Sequence, residues 1–538
     1  MKKKNASATD VLKYKMLLIG MINILVLSAL LGIQGAGYLG ISLMILAFPV
    51  SLHSIWVSDM VARYIRGRNA RNQYRSSLKF FRGALLYMLI TGAMFSTVLV
   101  LCSDWLGSFL IRDIHIGICL MIIAVLLPAY GFSEVFNGYL RGMGFYIPVK
   151  LFYPVRTAAS FAGSIAGMKL MGEYGEKVAN LKHNEAVTSV YGAFGALLGM
   201  AAGCILGIVL LLIFCVILRG ELRGMRSKDN AKYQENASHG FRVMISMVFL
   251  YGVRFLLLFA PLPVNYILYI RLCKKNGDSA PWIKTGGFLF GEAFPLMAIV
   301  FLCFLILNHR NYRQLAGYWK SEAYSQFREK VFAILLSVFT LIFPLCAAVA
   351  VMAEPILKCL TRGADKEGTT VLLYMSIGTV LLVLERTAYK LMELWSEMVY
   401  LYLTIFVSFA AQTAFAVAAF KVLDLGAAGI VFGMLLQAAL FLVMFLAKFA
   451  KRLRISGYQI KKLIMGIIVA LSGALIMLLI YKIAGEKLSA GVSVAVSVIP
   501  GLLLYLAAVV LLQIVSEKEA EHMPGGELFL RLNRLLRR

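Results

Sequence analysis

Apolar runs close to 20 residues long recur along the whole chain, separated by short polar stretches. Each is long enough to cross a hydrocarbon core of about 30 Å as a helix. Fourteen such spans are expected, at 16–33, 38–60, 83–102, 115–135, 147–170, 190–218, 244–267, 285–307, 331–352, 370–392, 398–420, 426–449, 464–483 and 492–515. The longest polar interruption, 219–242, reads RGELRGMRSKDNAKYQENASHGFR, with six basic and three acidic residues and no helical apolar period. It reads as a cytoplasmic connector between an N-terminal lobe, 1–218, and a C-terminal lobe, 243–450. Two further helices are expected in 451–515 and a basic cytoplasmic tail in 516–538.

Composition narrows the class. At 60% hydrophobic and 15% charged residues, with a mean hydropathy of +0.81, the chain is too apolar for a soluble domain. An all-α polytopic membrane protein of about fourteen helices is expected. The apolar run at 16–33 behind MKKKNASATD has the outline of a signal peptide with a small-residue site at 34–37, but another span follows it, so it reads as an uncleaved first helix.

The net charge of +27 changes the picture only through its distribution. Basic residues sit in clusters between spans, which points to topology and not to a nucleic-acid partner. The N-terminus, the even-numbered connections and the tail hold 38 Lys and Arg, against 14 in the odd-numbered connections; Arg156 and Arg254 lie inside spans. The positive-inside rule then places both termini in the cytoplasm, in a multi-pass protein of the cell membrane. The largest cluster before the connector, Arg63, Arg66, Arg68, Arg71, Arg75, Lys79 and Arg82, reads as a topology determinant or as a collector of anionic membrane lipids.

Chemistry-bearing motifs are scarce. Eight dispersed cysteines without a CxxC pair imply neither a disulfide framework nor a zinc site, and there is no HExxH or phosphate-cradling loop. No metal, no cofactor and no built-in ATPase are expected; an energy source would be a Na+ or H+ gradient or the substrate itself. The longest outer connections, 172–188 and 272–284, leave no room for an external catalytic domain, so an enzyme is not expected.

Gly192, Gly195 and Gly199 of the sixth span recur as Gly426, Gly429 and Gly433 around the start of the twelfth, each 234 residues later. The common offset points to an internal duplication of six spans, beyond the small-residue packing face that explains each copy separately.

A charge inside the hydrocarbon is costly, so intramembrane ionisable groups are site candidates. Arg254 lies deep in MVFLYGVRFLLLFAPLPVN, and Glu292 a third of the way along the next span; antiparallel neighbours would bring them together as an ion pair or as cavity-lining groups. Arg156 and Lys150 mark the fifth span, IPVKLFYPVRTAAS, where Pro148 and Pro154 would bend the helix. Guanidinium pairs well with phosphate, so Arg156 and Arg254, one from each lobe, are the candidate diphosphate clamp. Asp59 with Arg63, and Glu385 with Arg386 and Lys390, hold inner positions on the second and tenth spans; each set reads as an inner gate or as an ordinary helix-end ion pair. The last residues, ELFLRLNRLLRR, fit either an amphipathic helix on the membrane surface or a solvated tail.

Two stretches carry a resemblance. LGIQGAGYLGISLMILAFPVSLHSIWVSDMVARYIRGRNARNQYRSSLKFFRGALL is similar to the first two helices and following loop of the multidrug/oligosaccharidyl-lipid/polysaccharide (MOP) flippase superfamily, and LPAYGFSEVFNGYLRGMGFYIPVKLFYPVRTAASF to the fourth and fifth helices of its polysaccharide-biosynthesis and stage V sporulation protein B branch, related to the lipid II flippase type. The resemblance implies two six-helix bundles forming a V around a central cavity, with two further helices in the lipid II type. It implies alternating-access translocation of a polyprenyl-diphosphate-linked oligosaccharide or peptidoglycan precursor, with Arg156 and Arg254 taking the head group by location. Glycosyltransferases or a polymerase of the same pathway are the expected protein partners. The alternatives are a cation-coupled, MATE-like drug exporter with Glu292 as its coupling carboxylate, a lipid-dependent glycosyltransferase, and a non-transporting scaffold.

Overall fold

The computed structural model describes residues 2–229, 236–273, 280–361, 365–485 and 490–536. Among these the regular structure is helical throughout, as an all-α polytopic membrane protein requires. Among the described residues, twelve helices are long and apolar enough to cross a membrane. The count reconciles with fourteen expected spans in two places. The first two spans run together in one candidate, Ala8–Asn69, and the fifth, which carries Lys150, Arg156 and Lys169, is not among the twelve.

The chain divides into two compact units, Met1–Gly291 and Glu292–Arg538. The first contains α1 (Lys2–His53), α2 (Val57–Asn69), α3 (Tyr74–Leu101), α4 (Ser103–Leu106), α5 (Ile116–Met143), α6 (Tyr146–Lys182), α7 (Ala186–Ile217), α8 (Arg219–Ser227), α9 (Ala237–Met247), α10 (Val253–Phe259), α11 (Pro261–Leu272) and α12 (Ala280–Gly286). The second contains α13 (Phe294–Lys320), α14 (Tyr324–Ser337), α15 (Phe343–Val351), α16 (Ala353–Thr361), α17 (Lys366–Leu394), α18 (Met398–Lys421), α19 (Ala428–Leu453), α20 (Gly457–Gly485), α21 (Ala490–Leu511), α22 (Glu517–His522) and α23 (Gly526–Leu536). Four π-helical turns interrupt this series, at Gly107–Ile111, Val248–Gly252, Gly287–Ala293 and Val338–Ile342.

Several connections differ from the expectation. Residues 34–37 are helical; the break lies at Gly32, whose φ of 70° only glycine adopts without strain. A straight helix of 52 residues would be about 78 Å long, far beyond one membrane crossing, so the break at Gly32 is where the chain leaves its first span. Most of 172–188 is also helix, because α6 runs on to Lys182 and α7 starts at Ala186. The connector 219–242 is not one irregular stretch. Its first nine residues form α8, with Leu222 buried in the core beside Leu218 and Met225, and its last residues open α9; residues 230–235 lie outside the described residues.

Glycine sets the closest helix contact of the first unit. Gly163 and Gly167 of α6 face Gly199 and Gly195 of α7 so closely that an added Cβ would strike the opposing backbone, and Ser164 donates to the Ala196 carbonyl at 2.7 Å. Small residues three and four apart let helix backbones touch in lipid. The matching glycines of the second unit do different work: Gly426 precedes α19 with φ 57°, and Gly429 packs against the Phe420 ring. The shared spacing therefore serves a helix crossing in α7 and a helix start in α19.

In the second unit α20 packs on α14 and α15, and Phe332 and Leu336 of α14, Val469 and Ala470 of α20 and Tyr505 and Val509 of α21 share one core. Tyr505 donates to the carbonyl of Thr340, inside the π-turn Val338–Ile342. The tail extends this core. Phe529 of α23 is buried in it, Ser516 and Glu519 form a capping box on α22, and Glu519 pairs with Lys462 at 2.7 Å. The tail helix α23 thus docks Phe529 on its own unit and leaves Arg531 and Arg534 exposed.

Candidate functional site: a buried ionic network in the first unit

The fourth expected span supplies the centre. Tyr130, Glu134, Asn137 and Arg141 of α5 are spaced four, three and four residues apart, which places them on one helix face. Glu134 is fully buried. Its two oxygens lie 3.8 Å from Lys13 Nζ of α1 and 3.8 Å from Arg156 Nη1 of α6. These are ionic contacts longer than a hydrogen bond, and neither carboxylate oxygen has a hydrogen-bond partner.

Two turns along α5, Arg141 binds Asp10 of α1 at 3.0 Å and also Asp59 of α2. Between the two ends Asn137 donates to the Tyr153 hydroxyl at 2.6 Å. The network thus joins α1, α2, α5 and α6 with three cations, Lys13, Arg141 and Arg156, and three carboxylates, Asp10, Glu134 and Asp59. Its formal charge is zero. It runs from the buried Glu134 to the surface, where the Asp10 and Asp59 side chains are 42% and 57% exposed. Charges held away from water must be paired in this way, since one unpaired member costs several kcal/mol.

Arg156 is further held by aromatic faces, its guanidinium carbon lying 5.4 Å from the Tyr130 ring, 5.1 Å from Phe152 and 5.9 Å from Tyr153. One of its terminal nitrogens, Nη1, makes no hydrogen bond. A guanidinium with an aromatic bed, a long ionic contact and an open donor is able to exchange one anionic partner for another.

The other sequence candidates are placed separately. Lys150 is half-buried in the first turns of α6, six residues before Arg156. Arg254 is 2% exposed and lies over Tyr251 at 4.9 Å and Phe255 at 5.8 Å, directly after the π-turn Val248–Gly252. Gly252 lets that turn reach the Leu52 carbonyl, and Tyr251 stacks on Trp56. Glu292 is buried in the π-turn Gly287–Ala293 with neither oxygen hydrogen-bonded. By compactness Arg254 and Arg156 share the first unit and Glu292 opens the second.

Of the gate candidates, Asp59 is drawn to Arg141 and so into the network, whereas Arg63 is exposed. Glu385 is buried with Oε1 unpartnered, Arg386 lies over the Tyr389 ring, and Lys390 pairs with Glu393 at 2.6 Å. Among the described residues, no three His, Cys, Asp or Glu side chains gather as a metal set.

Sequence reasoning missed Glu134, Lys13, Arg141 and Asp10. The signal was the polar face of α5, visible in YGFSEVFNGYLR at helical spacing.

No protein-family model matches the chain, and no curated protein matches its sequence. Solved structures do match in fold. An inward-facing multidrug resistance MATE family transporter of the MOP superfamily is similar over 81% of this chain and 94% of its own, with a TM-score of 0.58 and 12% identity. The lipid II flippase MurJ in an inward closed conformation is similar over 93% of this chain and 98% of its own, with a TM-score of 0.58 and 10% identity. The eukaryotic MATE transporter AtDTX14 is similar over 87% and 99%, with a TM-score of 0.53 and 11% identity. The chain has the fold shared by the MOP superfamily transporters, MATE and MurJ among them.

Proposed function

We propose that this protein is an alternating-access flippase that carries a polyprenyl-diphosphate-linked oligosaccharide or peptidoglycan precursor across the cytoplasmic membrane. The observation that carries the reading is the extent of the match to the lipid II flippase, which takes in 93% of this chain against 81% for the MATE transporter of equal TM-score. The difference has about the length of a helix pair, and α20 and α21 are such a pair, beyond the twelve spans that two six-helix bundles require. Arg156 supports the diphosphate, because its ionic contact with Glu134 leaves a donor open to a phosphate oxygen.

A second reading, the cation-coupled MATE-like exporter, is favoured by one specific observation. Glu134 balances Lys13 and Arg156 in a network that reaches the surface through Asp10 and Asp59, so a cation competing for this carboxylate would unbalance the site. The same network would serve a proton-coupled flippase.

Proteoliposomes separate the two. The flippase reading expects the protein to move a fluorescent diphosphate-linked oligosaccharide lipid between leaflets and to leave lipophilic cationic dyes untransported. Dye transport driven by a pH or Na+ gradient, with no movement of the sugar lipid, would replace it with the exporter.

A further inference from the structure

Away from the network, the start of α3 and the whole of α8 face each other across a cavity of about 440 Å³. It is lined by Arg75, Leu78, Lys79 and Arg82 of α3 and by Arg223, Arg226 and Ser227 of α8. On each helix these positions are three or four residues apart, so both present a basic face to the same space. Its described lining holds five basic side chains. Asp229, just past α8, accepts the backbone N–H of Arg75 on its carboxylate at 2.6 Å.

Holding like charges around one cavity is unfavourable, and here apolar packing does it. Leu222 is buried in the core with Phe80 and Phe81, Leu78 and Met225 pack against that core, and Arg226 is fixed by donating to the Leu222 carbonyl at 3.0 Å. An anion entering the cavity would relieve the repulsion, and arginine in this number selects phosphate.

The position adds a second observation. The basic face of α3 continues into a stripe of exposed apolar residues, Leu86, Leu89, Ile90 and Met94, and α8 directly follows the membrane helix α7, whose last turns expose Ile213, Val216 and Ile217. The cavity therefore sits where two membrane helices change from apolar to basic surface, the level at which lipid phosphates lie. We infer that the cavity between α3 and α8 binds a phosphate-bearing anion, with the basic residues taking the phosphate and the apolar stripe of α3 available to the chains of an acidic phospholipid. This site is separate from the transport reading and stands whether or not that reading does.

The test uses the full-length protein in detergent. Native mass spectrometry would compare dioleoylphosphatidylglycerol with dioleoylphosphatidylcholine, and calorimetry would titrate inorganic pyrophosphate, on wild type, on R82Q/R223Q/R226Q and on the charge-keeping R82K/R223K/R226K. Preference for the acidic lipid by at least about tenfold in wild type and the lysine variant, lost in the glutamine variant, is the expected result. Pyrophosphate binding with the same variant dependence but no lipid preference would keep the anion site and assign it to a soluble phosphate. Equal lipid retention by wild type and the glutamine variant, with no pyrophosphate binding, would overturn the inference. The single exposed substitution R223Q provides the comparison if the triple variant melts early.

Discussion

Arg156 of α6 and Glu134 of α5 meet at 3.8 Å in a buried site, with Lys13 of α1 at the same distance on the other side of the carboxylate. One acid thus answers two cations, and Asp10 and Asp59 at the far end of the network make good the imbalance.

Removing one charge from such a group exposes the rest. Glu134→Gln leaves Lys13 and Arg156 buried without their acid and is expected to destabilise the protein by about 3–5 kcal/mol. Glu134→Gln combined with Arg156→Gln should recover part of that loss, with a coupling of about 0.5–3 kcal/mol in a double-mutant cycle. Thermal unfolding in detergent measures both, and strict additivity would show that the two side chains do not interact.

The crossing of α6 and α7 depends on absent side chains. Gly195→Val would drive a branched side chain into the Gly167 backbone, so the variant is expected to lose the monodisperse peak in fluorescence-detected size exclusion. Gly172→Ala has open space around it and should behave as wild type.

The helix pair at the C-terminus is pinned by Tyr505. Tyr505→Phe removes its hydrogen bond to the Thr340 carbonyl while keeping the ring in the core, and should cost about 1 kcal/mol. Faster proteolysis between α20 and α22 would report the loosened pair; unchanged cleavage and melting would show that apolar packing alone holds it.

Glu397, between α17 and α18, has its carboxyl held below the usual 4.5 by the hydrogen bond from Lys448, with Arg452 adding to the effect. A carboxylate with a depressed folded pKa contributes stability that is present above its unfolded value and lost as pH falls through the folded one. Wild type should therefore melt above Glu397→Gln at neutral pH, and the gap should close on acidification below about pH 4.5. A gap that widens in acid would reverse the sign of this contribution.

Hydropathy made the spans legible because each must satisfy its own backbone in lipid, whatever its neighbours. It did not show that α1 crosses its expected loop as helix and breaks at Gly32, since residues 34–37 are small and polar enough to read as a turn. The connector hid α8 because one buried leucine, Leu222, is too little periodicity to register in nine residues. The site was only half legible. Arg156 stood out as a charge deep in a span, but Glu134 fell one residue from an expected span edge, and Lys13, Asp10 and Arg141 fell outside the spans altogether. Which helix ends meet is a tertiary fact, and hydropathy carries no record of it.

On the proposed function, Arg156 receives the diphosphate of a lipid-linked sugar. The most direct test is the rate at which a fluorescent diphosphate-linked oligosaccharide lipid crosses proteoliposomes holding wild type, Arg156→Lys or Arg156→Gln. The glutamine variant, folded and inserted, should be slower by about 10- to 100-fold, the loss of one charged hydrogen bond of about 1.5–3 kcal/mol, with lysine in between. Wild-type translocation by the glutamine variant would contradict it.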